Sequence, residues 1–356
     1  MGARMADKEE ETQRKAAIVG VVGRTNAGKS TIVNRMVGEK VTIVSPVEQT
    51  TRNTIRGIVE DPRGQLVLLD TPGLHKAVGP LGKLLNGMAR ASSAGTDILL
   101  VVFDAAHEPQ LEDEGWMRRV AKEQPEKCVF ALNKSDRSPF YETMFRDLWK
   151  EVLGAKCFVH GAEQEEVLGA KCLVPGAELK HQDLSESNAP STKHQAPSTK
   201  HQAPIWVKAC GVKPGGCDAL MDALYDLAEP GPALFPDDIV TDYPRKLAIA
   251  DIVREKLIQH LHDEVPHEVG VLVEDLDERE GRWNVAVTIY VNRPSQKGIV
   301  IGQRGCNLRA VRMSAGPELS DMFGVKVNVE LWVKVEPNWM KNNRLLAEMG
   351  YLGAER

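Results

Sequence analysis

A glycine-rich segment near the start of the chain constrains the fold more than any other feature. It reads Gly23-Arg-Thr-Asn-Ala-Gly28-Lys29-Ser30, and it lies between an apolar run at residues 16–22 and a helical pattern at residues 30–37. A strand, a loop of this form and a helix together bind phosphate through backbone N–H groups, a lysine and a hydroxyl that ligates Mg²⁺. The sequence therefore predicts an α/β sheet that holds a nucleotide at one edge.

Further apolar runs predict the other strands of this sheet. They cover residues 65–69, 98–103 and 128–132, and helical spacing follows, as at residues 111–121. Strands that alternate with helices form a mostly parallel sheet with helices on both faces. Phosphate ligands of such sheets bind at the carboxyl ends of the strands, where the polar motifs of this chain lie.

Two polar motifs follow predicted strands. Asp70-Thr-Pro-Gly73 offers a carboxylate that can hold Mg²⁺ through water and an N–H group for a γ-phosphate. In Asn133-Lys-Ser-Asp136, the last carboxylate can accept two hydrogen bonds from guanine, whereas adenine would leave it unpaired. Together with the phosphate loop, in this order, the motifs predict a site for GTP and GDP.

The α/β pattern is interrupted over residues 154–204. LGAKCFVHGAE at residues 153–163 recurs as LGAKCLVPGAE, and STKHQAP at residues 191–197 is repeated at once. Residues 179–204 lack aromatic side chains and cannot bury enough surface to offset chain entropy, so we predict a disordered insertion. Its histidines have no ligand spacing typical of a metal site.

Beyond the insertion, the pattern predicts the end of the first domain and a second, smaller one. A strand at residues 205–209 and a helix at residues 218–227 complete the first domain. The predicted boundaries are a polar lead at 1–15, an α/β domain at 16–228, a linker at 229–243, an α+β domain at 244–350 and a tail at 351–356.

The second domain begins with a predicted helix. Apolar side chains recur every four residues from Ile249 to Leu261, with Arg254 and Glu255 off that face. Alternating patterns at residues 285–290 and 325–335 predict two strands, with a helix between them.

A second glycine loop, Gly302-Gln-Arg-Gly305, follows the strand-like run Ile299–Ile301 and precedes a predicted helix at residues 307–313. Such a G-x-x-G loop lets a nucleic-acid backbone approach closely. No acid stands between residues 293 and 312, although cations crowd this stretch. The predicted RNA contacts are Lys297, Gly302, Gln303, Arg304, Gly305, Arg309 and Arg312, whereas Trp332 and Trp339 are predicted to pack in the core or at its edge rather than to stack on bases.

Charge and cysteine usage exclude several functional classes. The chain has 45 Lys and Arg against 50 Asp and Glu, so only a local cationic patch can attract nucleic acid. Its six cysteines form no C-x-x-C pair, which disfavours a zinc knuckle or a disulfide scaffold. The acidic N-terminal lead differs from a signal peptide, and we expect a cytoplasmic protein.

The order of these motifs resembles the Era GTPases. The phosphate loop, Gln49-Thr-Thr-Arg52, Asp70-Thr-Pro-Gly-Leu74 and Asn133-Lys-Ser-Asp136 are similar to that family's nucleotide motifs. Gly-Pro-Ala-Leu-Phe-Pro at residues 231–236 resembles the family's linker. Residues 252–257 and 331–339 resemble the first helix and last strand of its RNA-binding domain.

The resemblance implies a P-loop G domain followed by a type II KH domain. It also implies slow GTP hydrolysis, binding of small-subunit ribosomal RNA near its 3′ end, and a role in assembling a 30S-type ribosomal subunit. The expected protein is a monomer that does not bind DNA. A peripheral contact with the inner face of the cell membrane is an additional expectation from the family.

The resemblance also assigns residues to the nucleotide site. Lys29, Thr51, Gly73 and Asn26 would act in catalysis, with Thr50 as the alternative to Thr51 and Leu74 where Ras has its water-positioning glutamine. Mg²⁺ would be held by Ser30, Thr51 and Asp70, and K⁺ by Asn26. The implied nucleotide contacts are Gly23, Asn26, Ala27, Gly28, Lys29, Ser30, Thr31, Asp70, Gly73, Asn133, Lys134, Asp136, Lys208 and Ala209.

Two departures from the family leave alternatives open. Lys208 stands where the family has a serine in its last guanine-contacting motif, and the two Gly-Ala-Glu copies of the insertion could fill that place instead of residues 205–209. An RNA-binding scaffold with impaired nucleotide binding is therefore one rival function. A GTPase that acts at a membrane surface is the other.

Overall fold

The computed structural model describes residues 14–44, 53–72, 95–154, 203–261 and 268–351. Most of the predicted insertion at residues 154–204 lies outside the described residues. The polar lead up to residue 13 and the tail after residue 351 lie outside them as well.

The first domain alternates strands and helices, as predicted. Its elements in chain order are β1 (Lys15–Val22), α1 (Lys29–Val37), β2 (Ile55–Asp61), β3 (Gly64–Asp70), β4 (Ile98–Asp104), α2 (Leu111–Glu123), β5 (Cys128–Asn133), α3 (residues 142–154), β6 (Ile205–Lys208), α4 (Asp218–Leu227) and the two-residue β7 (Glu229–Pro230).

These strands form one sheet in the order β2-β3-β1-β4-β5-β6, with β7 paired to β1. The pairs β3-β1, β1-β4, β4-β5 and β5-β6 are parallel, whereas β2 runs antiparallel to β3. Because the parallel strands share one direction, the polar residues that end β3, β4 and β5 meet at a single edge.

Apolar clusters cover both faces of this sheet. On one face, α1 and α4 bury Ile32 and Leu224 against strand residues such as Leu66 and Leu100. On the other, α2 and α3 bury an aromatic cluster made of Phe103, Trp116, Phe130, Phe145 and Trp149. The predicted mostly parallel sheet with helices on both faces is confirmed.

The linker after β7 is hydrogen-bonded to the outer strands β2 and β3. Buried Gln65 accepts hydrogen bonds from the N–H groups of Leu234 and Phe235, both at 2.8 Å, and donates to the Phe235 carbonyl at 2.9 Å. Ile58 N–H donates to the Val240 carbonyl at 2.9 Å. Backbone groups that a loop would otherwise leave to water are thereby paired with the sheet.

The second domain has the order helix, two strands, two helices, strand. Its elements are α5 (Arg245–His260), β8 (Gly270–Arg279), β9 (Arg282–Val291), α6 (Pro294–Ile301), a 3₁₀ turn (Gln303–Gly305), α7 (Cys306–Phe323), β10 (Lys326–Val335), a second 3₁₀ turn (Trp339–Lys341) and α8 (Asn343–Glu348). The sheet order is β10-β9-β8, with β9 and β10 parallel. This arrangement confirms the KH domain that the resemblance implies.

Two helices, rather than one, join β9 to β10, and the strand-like reading of Ile299–Ile301 was wrong. The run ends α6, which starts with Pro294 in its first turn and has a capping box formed by Arg293 and Gln296. Proline suits the first turn of a helix because its missing N–H group needs no partner there. The following helix, α7, is also longer than predicted at residues 307–313.

Helix α5 is buried on more sides than its apolar spacing predicts. Arg254 and Glu255, predicted to lie off the apolar face, are 1% and 2% exposed. The face with Ile249 and Val253 packs on the KH sheet, whereas Glu255 faces the first domain and pairs with Lys40 at 2.8 Å. Because a helix between two domains is covered on both sides, its polar face need not be solvated.

The two tryptophans of the C-terminal segment differ. Trp339 is fully buried with Leu345 and Leu346 on the sheet face opposite α6 and α7, as predicted. Trp332 is 66% exposed on the edge strand β10, so it is not packed in the core, which was the first of its two predicted placements. No helix in the described ranges has the length and apolar character needed to cross a bilayer.

Candidate functional site

The phosphate loop turns through backbone conformations that favour glycine. Gly23 and Gly28 have φ of 149° and 91°. A Cβ atom at Gly28 would lie 2.2 Å from Nδ2 of Asn133, because that amide donates to the Ala27 carbonyl at 2.8 Å. The close approach of strand end and loop therefore requires glycine at this position.

Lys29 lies inside the loop and is only 6% exposed. Its ammonium donates to the carbonyl oxygens of Gly23 at 3.3 Å and Arg24 at 2.9 Å. Burial lowers the pKa of Lys29 to about 8, although the nearby Asp70 carboxylate opposes this shift. A buried ammonium held by neutral carbonyls is stabilised by an anion such as a phosphate group.

Ser30 and Asp70 meet at the start of α1. The Ser30 hydroxyl donates to Oδ2 of Asp70 at 2.7 Å. The other oxygen, Oδ1, is buried and accepts no hydrogen bond from the described residues. Burial raises the pKa of Asp70 because it removes water from the carboxylate, and a bound cation would stabilise the ionised form. A hydroxyl and a carboxylate are oxygen ligands of the kind that Mg²⁺ prefers.

The motif at the end of β5 borders the base site. Lys134 donates to the Asn26 carbonyl at 3.0 Å and to Asp104 at 2.8 Å, so its stem lies beside the phosphate loop. Asp136 is exposed, which leaves its carboxylate accessible to a base. The structure thus brings Asn133, Lys134 and Asp136 together with the phosphate loop, as the sequence predicts.

The segment after β6 closes the other side of this pocket. The Ala209 carbonyl accepts from Ser135 N–H at 3.1 Å, and Gly211 N–H donates to Oδ1 of Asn133 at 3.3 Å. A cavity of about 60 Å³ lies between these segments, lined by Gly28, Thr31, Asn133, Lys134, Asp136, Arg137, Gly211 and Val212. This geometry favours residues 205–212 for the last motif. The two Gly-Ala-Glu copies lie outside the described residues.

Lys208 does not line the cavity, and its predicted contact with the nucleotide stays a prediction. Its ammonium lies 2.8 Å from the Glu142 carboxylate and 5.6 Å from the centre of the Phe140 ring. Successive residues of a strand point to opposite faces, so the side chain that ends β6 can turn to α3 while Ala209 faces the motif of β5.

A cluster beside the phosphate loop was not predicted. Arg24 lies 3.1 Å from Asp104, which ends β4, and 3.2 Å from Asp113 in the first turn of α2. Burial raises the pKa of Asp113 to about 6. The signal for Asp104 was available, because it ends a predicted strand just as Asp70 and Asn133 do. Arg24 occupies an unspecified position of the loop motif and gave no such signal.

Thr50, Thr51, Gly73 and Leu74 lie outside the described residues. Asn26, the predicted K⁺ ligand, lies in the loop with φ of 59°. Within the described part of the chain, no group of three or more His, Cys, Asp or Glu side chains could hold a metal ion.

The second glycine loop joins α6 to α7. Gly302 and Gly305 have φ of 74° and 78°, and Arg304 between them has φ of 52°. A Cβ atom at Gly302 would lie 2.7 Å from Cγ of Asn307. No side chain caps the N-terminus of α7. The N–H groups of its first turn can therefore donate hydrogen bonds to an anion, and the tight turn lets a nucleic-acid backbone approach.

Cations crowd around this loop. Several cations elsewhere in the domain pair with carboxylates: Arg245 with Glu278, Lys256 with Glu255, Arg279 with Asp277 and Arg344 with Glu348. Within the described ranges, no carboxylate pairs with any of the five near the loop, which are Arg293, Lys297, Arg304, Arg309 and Arg312. The predicted local patch therefore exists on a chain whose net charge is −5.

Comparison with known proteins agrees with both sites. A family model described as a 50S ribosome-binding GTPase matches residues 18–134, and one described as a KH domain matches residues 264–340. GTPase Era of Geobacter sp. (strain M21) is 34% identical over 342 residues, which are 96% of this chain and 99% of that protein. The chain belongs to the Era GTPases. GTPase Era of Rippkaea orientalis is 33% identical over 95% of the chain and 92% of its own length.

Two solved structures extend the Era assignment to the whole fold. A crystal structure of an Aquifex aeolicus Era variant bound to GDP and AlF₄⁻ matches with a TM-score of 0.73 and 27% identity, covering 95% of this chain and 99% of that one. A structure of Era with MgGDPNP and nucleotides 1506–1542 of 16S ribosomal RNA matches with the same values. The predicted GTPase with a KH domain is confirmed.

Replacing residues 155–202 with a short flexible linker is expected to preserve guanine-nucleotide affinity. Leu153 and Ala203 line one apolar cavity with Trp149, so the two ends of the replaced segment lie close together. The pocket residues 209–212 are outside the deletion, and a shorter loop has a smaller closure entropy. Titration with a fluorescent GDP analogue tests this. Loss of binding would show that a Gly-Ala-Glu copy contributes to the base pocket.

Proposed function

We propose that this Era GTPase binds small-subunit ribosomal RNA near its 3′ end through the KH glycine loop, under control of Mg²⁺-bound GTP. Its role would be to assist assembly of the small ribosomal subunit in the cytoplasm. The Era structure that contains a fragment of 16S ribosomal RNA and MgGDPNP supports the choice of both ligands.

The observation that carries the RNA part of this proposal is the cationic group around Gly302–Gly305. Five cations without a carboxylate partner among the described residues surround a tight turn and an uncapped helix N-terminus. Unpaired cations beside accessible backbone N–H groups recognise phosphate, and a G-x-x-G loop of a KH domain clamps a single-stranded backbone.

The nucleotide part rests on the arrangement at the strand ends. Lys29 would bind the β and γ phosphates, and Asp136 would read guanine. Ser30, Asp70 and Thr51 would hold Mg²⁺, whose charge when bound stabilises the charge that develops on the phosphates. Gly73 would contribute an N–H group to the γ-phosphate. K⁺ beside Asn26 remains a proposal based on the family alone.

Contacts between the domains support control by the nucleotide. Lys40, which follows α1, pairs with Glu255 of α5 at 2.8 Å and also with Glu318 of α7. Val44 N–H donates to Glu255 at 3.2 Å. Residues 45–52, which include the proposed Mg²⁺ ligand, continue directly from this contact. Helix α7 begins at the glycine loop, so one helix extends from the RNA patch to the residue that contacts Lys40, ahead of the proposed switch.

A binding assay with the full chain tests the coupling. We expect a fluorescent oligoribonucleotide from the 3′ end of small-subunit RNA to bind more tightly with a non-hydrolysable GTP analogue than with GDP. An oligoribonucleotide of equal length from large-subunit RNA is the control, because one family model is described by the 50S subunit. Equal affinities for both RNAs, or no effect of the nucleotide, would contradict the proposal.

Changing both Gln303 and Arg304 to aspartate is expected to weaken RNA binding by about tenfold or more, since phosphate attraction becomes repulsion. The slope of log affinity against log salt should be shallower by about one for each lost phosphate contact. Both residues are exposed in a turn, so circular dichroism and GTP hydrolysis should match the wild type.

Arg344→Asp is the matched control for this double substitution. Arg344 is exposed and belongs to α8, which lies on the sheet face opposite the glycine loop. We expect its RNA affinity and salt dependence to stay close to those of the wild type. If the two variants bind RNA equally well, the cationic patch is ordinary solvated surface.

A further inference from the structure

The loop after β6 places one side chain against the carboxylate that would read guanine. The Cys210 thiol donates to Oδ1 of Asp136 across 3.2 Å. Cys210 is 4% exposed, whereas Asp136 is exposed. Within the described ranges, no other side chain donates a hydrogen bond to that carboxylate.

A tight turn determines the direction of this thiol. Cys210 N–H donates to the Gly216 carbonyl at 2.7 Å, and Lys213 N–H donates to the Cys210 carbonyl at 3.4 Å. A Cβ atom at Gly216 would lie 2.2 Å from the Cys210 carbonyl oxygen, so the two ends of the turn are in close contact. The backbone of Cys210 is thus held on both sides, so its thiol can move away from Asp136 only by rotation about χ1.

The Lys208 side chain points away from Asp136. Its ammonium pairs with Glu142 on the α3 side of β6. The side chain two residues later, Cys210, lies on the side of the motif that ends β5. Among the described residues, Asp136 therefore receives a side-chain hydrogen bond from Cys210 and none from Lys208.

The contact matters because guanine requires both carboxylate oxygens at once. N1–H and the 2-amino group lie side by side, so the carboxylate must be coplanar with the base to accept from both. An exposed aspartate rotates freely about its last bond, whereas a donor on Oδ1 restricts that rotation. Each oxygen has two lone pairs, so Oδ1 can serve the thiol and the base together. The thiol also lowers the pKa of Asp136, which favours the ionised form that guanine needs.

We propose that Cys210 is a positioning residue for guanine specificity, whose thiol holds the Asp136 carboxylate in the orientation that accepts both guanine N–H groups. The inference rests on the proposed role of Asp136 in reading the base. It adds a residue in the turn after β6, beside the pocket, that acts through Asp136 without touching the base edge itself.

The test compares Cys210→Ala with Cys210→Ser by titration of a fluorescent GDP analogue, with GDP and IDP as competitors. IDP lacks the 2-amino group, so the ratio of the two affinities measures how well both oxygens are aligned. For the alanine variant we expect GDP affinity to fall by about fivefold to tenfold and the ratio of GDP to IDP affinity to shrink. Serine supplies a hydroxyl donor and is expected to restore both values to within about twofold.

Cys217→Ala is the matched control. Cys217 is equally buried at the far end of the same turn, and among the described residues its thiol makes no hydrogen bond to Asp136. It should keep the wild-type affinity ratio. The proposal is overturned if Cys210→Ala keeps the wild-type ratio, or if serine and alanine lower it equally, because the cysteine would then only fill space.

Combining Cys210→Ala with Asp136→Asn separates this inference from the function on which it rests. If the thiol acts through the carboxylate, the double variant should bind GDP as weakly as Asp136→Asn alone. Additive losses would overturn the positioning role. Unchanged GDP affinity in Asp136→Asn alone would contradict the guanine-reading role of Asp136 itself, which is a different failure.

Discussion

Changing Lys29 to alanine is expected to lower kcat for GTP hydrolysis by about 10²-fold to 10³-fold, the usual cost of removing one preorganised group that stabilises transition-state charge. The ammonium is buried inside the phosphate loop, where water cannot replace it. Release of inorganic phosphate at saturating GTP measures the effect. RNA affinity of the full chain, measured without nucleotide, should not change, because the glycine loop belongs to the other domain.

Lys208→Ala is the control for this substitution. Lys208 ends β6 of the same sheet, but its ammonium pairs with Glu142 and does not line the base cavity. We expect wild-type hydrolysis from this variant. Hydrolysis that survives in Lys29→Ala at the wild-type rate would show that the phosphate loop is not the catalytic site.

Asp136→Asn should shift the preference of the protein from guanine to xanthine nucleotides. The new amide presents a donor where guanine presents its own, whereas xanthine offers a carbonyl there. Such paired hydrogen bonds contribute roughly 2 to 5 kcal/mol to the preference for one base over another. The ratio of GTP affinity to XTP affinity should therefore change by about 30-fold to several thousandfold. Competition between GTP and XTP for the fluorescent GDP analogue measures the shift.

Asp147→Asn provides the matched comparison for this change. Asp147 is an exposed aspartate on α3 that pairs with Lys150 at 2.8 Å, away from the base cavity. Its nucleotide preference should equal that of the wild type. An Asp136→Asn variant that still prefers GTP over XTP to the wild-type extent would refute the assignment of this motif.

The strands that carry the nucleotide motifs could be predicted within one residue. β1, β3, β4 and β5 are continuous apolar runs, because a parallel strand covered by helices on both faces is buried throughout. The polar motif that follows each run then lies at one sheet edge by topology alone. The sequence is therefore sufficient to predict that the phosphate loop, Asp70 and Asn133 lie in one site.

Elements whose environment depends on another part of the molecule were missed or misread. β2 is an antiparallel strand whose burial depends on β3 and the linker, and β8 has a charged second half in which Leu276 is the one apolar residue. The run Ile299–Ile301 is as compatible with a helix as with a strand, since a short apolar run carries no period. Pro294 in the first turn and the capping box of Arg293 and Gln296 favour the helix.

Local sequence patterns predict the identity and order of the chemical groups: a phosphate loop, a carboxylate after β3, a proposed guanine-reading motif after β5 and a cationic glycine loop. Each group needs a particular residue type at a fixed offset from a strand or helix, so a short stretch of sequence is enough to reveal it. The fold was needed to show which side chains of β6 and its following turn approach the motif after β5, and why Glu255 is buried. Those outcomes depend on partners distant in the chain, Glu142 and Asp136 in the first case and Lys40 in the second, which no local pattern encodes.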